Sequence, residues 1–244
     1  MRRLYEKKEI LFAVLWIVAY CVIAGSIKGE FGYESIWMLL ALIAFTVGIL
    51  VFVIANHLTD KYGLKAFPKD MKRYLFFIPV FILATGNLWD GISFSGQGMS
   101  LLIASLSMAL VGFVEEMIFR GFLFKAMLGN GKTVPAIVVS ALTFGIGHIV
   151  NLFTGQAGLD TIMQVVFAIS WGFIFTMVFY KSKSLLPCII AHAMVDVFSL
   201  YGRDNELVDR IYIGATILVA LVYCIYLARL DKSRRETELK DSLC

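Results

Sequence analysis

Residues 36–55 read IWMLLALIAFTVGILVFVIA, twenty consecutive residues without a charged side chain. About twenty apolar residues form a helix long enough to cross the hydrocarbon core of a bilayer. The whole chain agrees with this interpretation, because 59% of its 244 residues are hydrophobic and only 16% are charged. Soluble domains average about 45–50% apolar and about 25% charged residues. The sequence therefore predicts an all-α protein embedded in a membrane.

Apolar segments of similar length recur on both sides of this one, and the sequence predicts about eight transmembrane helices in total. Their predicted bounds are Ile10–Ile27, Ile36–Ala55, Tyr74–Leu88, Met99–Leu128, Val134–Phe153, Thr161–Tyr180, Leu185–Leu200 and Ile211–Leu230. The first segment resembles a signal peptide, but bulky Tyr20 occupies a place where a cleavage site needs a small residue. We therefore expect residues 1–230 to form one transmembrane domain and residues 231–244 to form a short charged cytoplasmic tail.

The distribution of Lys and Arg predicts the orientation. With the N-terminus in the cytoplasm, 18 of the 22 basic residues fall in cytoplasmic segments, and the outer segments hold Lys28, Arg203 and Arg210. Cytoplasmic loops carry such an excess of positive charge. The sequence predicts a multi-pass protein of the cell membrane with both termini in the cytoplasm. No internal repeat supports a transporter built from inverted repeats.

Ionisable residues are rare inside the predicted spans. Away from the ends of the spans they are Glu115, Glu116, Arg120, His148, His192 and Asp196. A charged group at mid-membrane costs a few kcal/mol, and such residues usually face the protein interior and serve function. All six fall on three of the eight predicted spans. The sequence therefore predicts one intramembrane site.

Spacing along the helices predicts how these residues pair. Glu116 and Arg120 are four residues apart and share a helix face, which suits an ion pair. Glu115 points about 100° away from Glu116 and has no partner at helical spacing, so we expect it to be the freer carboxylate. His192 and Asp196 are also four residues apart, so this carboxylate is placed to orient the imidazole.

Three short motifs carry these residues. They are EEMIFR over residues 115–120, FGIGH over residues 144–148 and HAMVD over residues 192–196. In order and on separate spans, they resemble the motifs E-E-x-x-x-R, F-x-x-x-H and H-x-x-x-N/D of the CAAX-protease and bacteriocin-processing family, also called CPBP or Abi. The resemblance covers about residues 99–200, which we take as the predicted catalytic core.

The resemblance implies an intramembrane glutamate endopeptidase that uses neither a metal nor a cofactor. Glu115 and His148 would activate water, and His192 with Asp196 would stabilise the oxyanion. Glu116 and Arg120 would hold the geometry of the site or contact the substrate, with Glu116 counted among the catalytic residues. Phe144, the first residue of the second motif, is expected to position the site by packing.

Asp196 departs from the family pattern, since the eukaryotic CAAX peptidases typically carry asparagine there. Asparagine can donate a hydrogen bond to an oxyanion, whereas an ionised aspartate only accepts. Asp196 is therefore either protonated or orients His192, and we prefer the second interpretation.

Other interpretations stay open. The Glu116–Arg120 pair is equally compatible with a purely structural role, and a lone intramembrane histidine is often an interhelical hydrogen-bond donor. A zinc-dependent metallopeptidase would use His148, His192 and a carboxylate, although no H-E-x-x-H motif is present. A non-enzymatic immunity factor, scaffold or transporter would keep the charges for packing or proton movement.

The expected partners are the lipid bilayer and a membrane peptide or small protein substrate. No nucleic-acid partner is expected, and the oligomeric state is left open.

Overall fold

The structure, a computed structural model, describes residues 1–65, 77–93, 98–129, 131, 133–154 and 158–241 of the chain. Over these residues the chain forms helices and one isolated antiparallel bridge between Ile92 and Gly202, without a strand. The α-helices are α1 Arg2–Lys7, α2 Glu9–Phe31, α3 Ile36–Ala55, α4 Phe77–Ala84, α5 Gly98–Glu115, α6 Lys125–Gly129, α7 Thr133–Gly147, α8 Gly158–Ser182, α9 Leu186–Ser199 and α10 Glu206–Asp241.

Six helical segments in the described part of the chain are long and apolar enough to cross a membrane. They are Glu9–Phe31, Ile36–Ala55, Gly98–Gly129, Thr133–Phe153, Gly158–Ser182 and Glu206–Tyr226. The prediction of an all-α, polytopic membrane protein is therefore confirmed.

The count of eight spans stays a prediction, because two of the predicted spans correspond to short helices. The seventh is α9, which has 14 residues. The third corresponds to α4, of 8 residues, and a 3₁₀ turn over Gly86–Leu88. Residues 74–76 of that predicted span lie outside the described residues, as do Lys69, Lys72, Arg73 and Lys132, which the sequence assigned to cytoplasmic segments.

Two spans change helix type at the residues that the sequence singles out. After Glu115, α5 continues as a π-helix over Glu116–Phe124 and then as α6, so that one continuous element of 32 residues matches the fourth predicted span. The α7 helix gives way to a 3₁₀ helix, His148–Thr154. Short π segments inside α-helices are frequent at functional sites.

The tail region is helical as far as the structure describes it. The α10 helix runs without interruption through residue 230 and ends at Asp241. Residues 242–244 lie outside the described part.

Two glycines let the site-bearing helices approach closely. A Cβ atom on Gly112 of α5 would lie 2.6 Å from the backbone nitrogen of Ala193 on α9. A Cβ atom on Gly145 of α7 would lie 2.9 Å from the carbonyl oxygen of Val165 on α8. Because only hydrogen fits at these contacts, small residues set the distance between the helices.

An aromatic cluster fixes α2 against the π-helix. Phe122 of the π-helix packs edge-on against Phe12 of α2, with ring centroids 5.2 Å apart. Phe52 of α3 and Tyr62 of the following loop contact the same Phe122 ring at 6.1 and 5.4 Å. These contacts place the first turn of α2 beside the last turn of the π-helix.

Candidate active site

Glu116, Arg120 and His192 form a buried polar cluster at the start of the π-helix. Arg120 Nη1 donates to Glu116 Oε1 over 2.8 Å, and both side chains are fully buried. The ion pair expected from their spacing is therefore present in the structure. His192 Nδ1 lies 2.9 Å from the same Glu116 oxygen. Because an ion-paired carboxylate can only accept, Nδ1 is the protonated nitrogen in this contact.

Two phenylalanines enclose this cluster. The guanidinium carbon of Arg120 lies 4.1 Å from the ring centroid of Phe144 and 5.5 Å from that of Phe175. Arg120 Nε and Nη2 have no hydrogen-bond acceptor among the described residues, so the ring faces supply their surroundings. Phe175 also stacks on the imidazole of His192, with centroids 5.5 Å apart and an interplanar angle of 25°. The position of His192 is thus fixed by Glu116 on its edge and Phe175 on its face.

Glu115 forms its short hydrogen bond with a residue of α2 and not with Arg120. The hydroxyl of Tyr20 on α2 donates to Glu115 Oε1 over 2.7 Å. Glu115 Oε2 lies 3.6 Å from His192 Nε2. Glu115 thus has one short polar contact where Glu116 has two, which agrees with the expectation that Glu115 is the freer carboxylate. Its partner comes from a residue 95 positions away, which spacing along one helix does not reveal.

Asp196 approaches the side of His192 that faces away from Glu116. Its Oδ2 atom lies 3.4 Å from His192 Nε2, beyond good hydrogen-bond length. The imidazole therefore has one short contact, to Glu116, and two longer ones, to Asp196 and Glu115. The sequence pattern pointed to Asp196 as the partner that orients His192, whereas the 2.9 Å contact is made by Glu116.

His148 occupies the junction between α7 and the 3₁₀ helix. Its Nδ1 atom lies 3.2 Å from the backbone oxygen of Phe144, and its ring packs edge-on against Phe144 with centroids 5.4 Å apart. A backbone carbonyl accepts a hydrogen bond, so Nδ1 carries the proton in this contact. In the neutral imidazole, Nε2 is then left with its lone pair, as a base requires.

The site opens into a cavity of about 360 Å³. Glu115, His148, His192, Asp196 and Phe144 line it. Glu116 and Arg120 are absent from the described lining residues and lie behind it, fully buried. A cavity of this size is near the lower end of those that hold small ligands. Of the residues that the sequence pointed to, five are thus in reach of a bound molecule and two support them from behind.

Comparison with known protein families agrees with the motif resemblance. Residues 97–198 match the family model described as Type II CAAX prenyl endopeptidase Rce1-like. The match covers less than half of the chain. The matched segment contains all seven predicted site residues, from Glu115 to Asp196, and overlaps the helices that are long and apolar enough to cross a membrane. A search of curated proteins gave no match.

Several cavity residues were not predicted from the sequence. Tyr20 and Lys28 of α2 lie outside the matched segment, while Asn151 and Gln164 lie inside it but outside the three motifs quoted above. None of them is an unusual residue for its place in a span, so composition and spacing give no signal for them. Among the described residues, no set of three or more His, Cys, Asp or Glu side chains is arranged to hold a metal ion.

Proposed function

We propose that the protein is an intramembrane endopeptidase that hydrolyses a peptide bond with water activated by Glu115 and His148. The observation that carries this proposal is the cavity itself. Two carboxylates and two imidazoles line one space of about 360 Å³ among apolar helices. Ionisable groups are costly in such surroundings, and their convergence on one cavity favours a catalytic role over packing.

In the proposed reaction, a water molecule lies between Glu115 and the free Nε2 atom of His148. One of these groups takes a proton from the water as the oxygen attacks the carbonyl carbon of the substrate peptide. The hydrogen bond from Tyr20 holds Glu115 Oε1 in place. The abstracted proton is later delivered to the amine that leaves when the C–N bond breaks.

The proposed role of His192 is to stabilise the negative charge on the tetrahedral intermediate. Its Nδ1 proton is held by Glu116, so a proton on Nε2 is required for donation to the oxyanion. Asp196 and Glu115, at 3.4 and 3.6 Å from Nε2, both favour the doubly protonated ring. Asp196 then acts through His192, and its protonated form is the alternative in which it donates to the oxyanion itself.

Glu116 and Arg120 are proposed to position the site from behind the cavity. Glu116 fixes the orientation of His192, and Arg120 neutralises Glu116 while bridging Phe144 and Phe175. Neither touches the cavity, so we assign Glu116 a positioning role that is narrower than the catalytic one predicted from its motif.

The zinc-dependent alternative requires His148, His192 and a carboxylate to turn toward one ion. His192 Nδ1 is engaged by Glu116, and His148 Nδ1 by the carbonyl of Phe144. Zinc-bound histidines commonly keep one ring nitrogen in such a contact, so these hydrogen bonds do not separate the two mechanisms. Water activation without a metal is supported instead by the ligand arrangement, since the described residues include no group of three or more His, Cys, Asp or Glu side chains placed to hold an ion. The proposed substrate is a membrane-associated peptide or small protein, cleaved in the cell membrane by an enzyme with both termini in the cytoplasm.

The experiment is a comparison of membrane peptides in cells that produce the wild-type protein or the Glu115→Gln variant. We expect one or more precursor peptides to accumulate, and their products to disappear, with Glu115→Gln. A matched control is Glu6→Gln, which changes an exposed glutamate in α1. Identical peptide sets for wild type and Glu115→Gln would favour the non-enzymatic interpretation.

A further inference from the structure

Lys28 brings a positive charge into the cavity. It lies in the last turn of α2, and its ammonium donates to Asn151 Oδ1 over 2.9 Å. Asn151 Nδ2 in turn donates to Gln164 Oε1 over 2.7 Å. All three line the same cavity as Glu115, and Lys28 is the only lysine or arginine among the described lining residues. Two side-chain amides, one on the 3₁₀ helix and one on α8, thus hold the ammonium in place.

No carboxylate of the described residues lies within ion-pair distance of the Lys28 ammonium, and the opposite charge that acts on it is that of Glu115 in the same cavity. The hydrogen bond of the ammonium goes to the neutral amide of Asn151 instead of a carboxylate. Removing a cation from water without an opposite charge is costly. A ligand that brings an anion would therefore gain more from this half-buried ammonium than from a solvated lysine.

The position of Lys28 suits a peptide that also reaches the reacting groups. Tyr20, which binds Glu115, and Lys28 are eight residues apart on α2 and share a helix face. Eight residues of α-helix rise about 12 Å. An extended peptide covers about 3.3 Å per residue, so three or four residues span this distance. One substrate peptide can therefore contact Glu115 and Lys28 together.

We propose that Lys28 is a specificity-determining residue that binds a carboxylate of the substrate peptide, three or four residues from the bond that is cleaved. Asn151 and Gln164 position its ammonium. The carboxylate is either the C-terminus of the peptide or an acidic side chain near it. The inference rests on the proposed function, because it takes the ligand to be the peptide that Glu115 and His148 act on.

The test measures binding separately from cleavage. The full chain carrying Glu115→Gln, in detergent micelles, is titrated with three fluorescent peptides that share a farnesylated cysteine as the fourth residue from the end. One peptide ends Val-Ile-Ala with a free carboxylate, the second has the same sequence with a C-terminal amide, and the third ends Val-Ile-Glu as an amide. The same titrations are made with Lys28→Met, Lys28→Arg or Lys65→Met added. Lys65 is an exposed lysine that does not line the cavity.

We expect a peptide with a carboxylate to bind about ten- to a hundredfold more tightly than the plain amide, the range of a hydrogen bond to a charged group. Lys28→Met should abolish this preference, whereas Lys28→Arg and the control Lys65→Met should keep it. The free-acid and Glu-amide peptides distinguish the two sources of the carboxylate.

Equal binding of all three peptides to the Glu115→Gln chain, no binding at all, or a preference that survives Lys28→Met would overturn the inference. Cleavage of the free-acid peptide by the wild-type chain is measured alongside. A preference that depends on Lys28 without cleavage by the wild type would refute the proposed function and leave the binding site standing.

Discussion

The hydrogen bond from Tyr20 to Glu115 joins two helices at the residue that we propose as the base. A bond to a charged group contributes about 1.5–3 kcal/mol, so its loss should lower the rate about ten- to a hundredfold if Glu115 must be held in place. We expect Tyr20→Phe to lower kcat by this factor with little change in KM. The ring should keep its contact with Phe45, 5.7 Å away between centroids, so Tm should stay near the wild-type value.

Steady-state kinetics and thermal unfolding of purified Tyr20→Phe provide the check. A wild-type kcat would show that the tyrosine only packs. A fall in Tm that matches the loss of activity would assign it a structural role.

Arg120 belongs to a fully buried ion pair at a spacing of four residues, and Arg2 belongs to an exposed ion pair at the same spacing. Arg120 pairs with Glu116 and lies over Phe144, whereas the Arg2 side chain, paired with Glu6, is 73% exposed. Lysine keeps the charge but loses the planar group that fills the space between the rings. Breaking a buried pair costs about 3–5 kcal/mol, while exposed pairs contribute about 0–1 kcal/mol.

We therefore expect Arg120→Lys to lower thermal stability and activity together, and Arg2→Lys to change neither. Thermal unfolding and cleavage rates of both variants make the comparison. Unchanged stability of Arg120→Lys with a loss of activity alone would mean that Arg120 contacts the substrate.

At the scale of elements, the contact between α5 and α9 sets the geometry of the site. These helices carry Glu115 and His192, and Gly112 meets Ala193 where a Cβ atom would come within 2.6 Å of a backbone nitrogen. Backbone atoms of a packed helix cannot rotate away. We expect Gly112→Ala to separate the helices, to lower the free energy of unfolding by about 1–3 kcal/mol, and to reduce activity.

Gly214→Ala on α10 is the matched control, because nothing lies within 4 Å of a Cβ atom at that position. Alanine favours a helix over glycine by up to about 1 kcal/mol, so this variant should be as stable as the wild type or more so. Equal stability of Gly112→Ala and Gly214→Ala would contradict the close packing.

The sequence predicted the elements well where composition decides and less well where helix type changes. The charge-free run at residues 36–55 coincides with α3, because length and apolarity suffice for a span. The π-helix from Glu116 and the 3₁₀ helix from His148 were not predicted. In the π-helix, the carbonyl of Phe119 accepts a hydrogen bond from Ser140 of α7, and such a contact between helices cannot be predicted from a pattern of apolar residues.

In the site, too, contacts within one helix could be predicted from the sequence and contacts between helices could not. Spacing predicted the Glu116–Arg120 pair because both residues lie on one helix. Partners from other helices, such as Tyr20 for Glu115 and Glu116 for His192, depend on how the helices meet. The motif resemblance supplied the set of residues, and the structure separates those that line the cavity from those behind it.

At the scale of the whole molecule, we propose a hydrolase that needs no bound metal. We expect cleavage by the purified protein to survive strong chelators such as o-phenanthroline, because no group of three or more His, Cys, Asp or Glu side chains among the described residues is arranged to hold a metal ion. Elemental analysis of active protein should find less than one zinc per chain. Stoichiometric zinc whose removal and return switches activity off and on would favour the metallopeptidase.

The most direct test of the central claim is the rate of peptide cleavage by purified Glu115→Gln protein, measured beside the wild type and the Glu6→Gln control. Glutamine keeps the size of the side chain and an oxygen for the Tyr20 hydroxyl, but it cannot accept a proton from water. General acid–base catalysis contributes about 10²–10⁴ in rate. We predict a loss of that size at an unchanged Tm, with Glu6→Gln as active as the wild type. Cleavage by Glu115→Gln at the wild-type rate would contradict the claim that Glu115 activates the water.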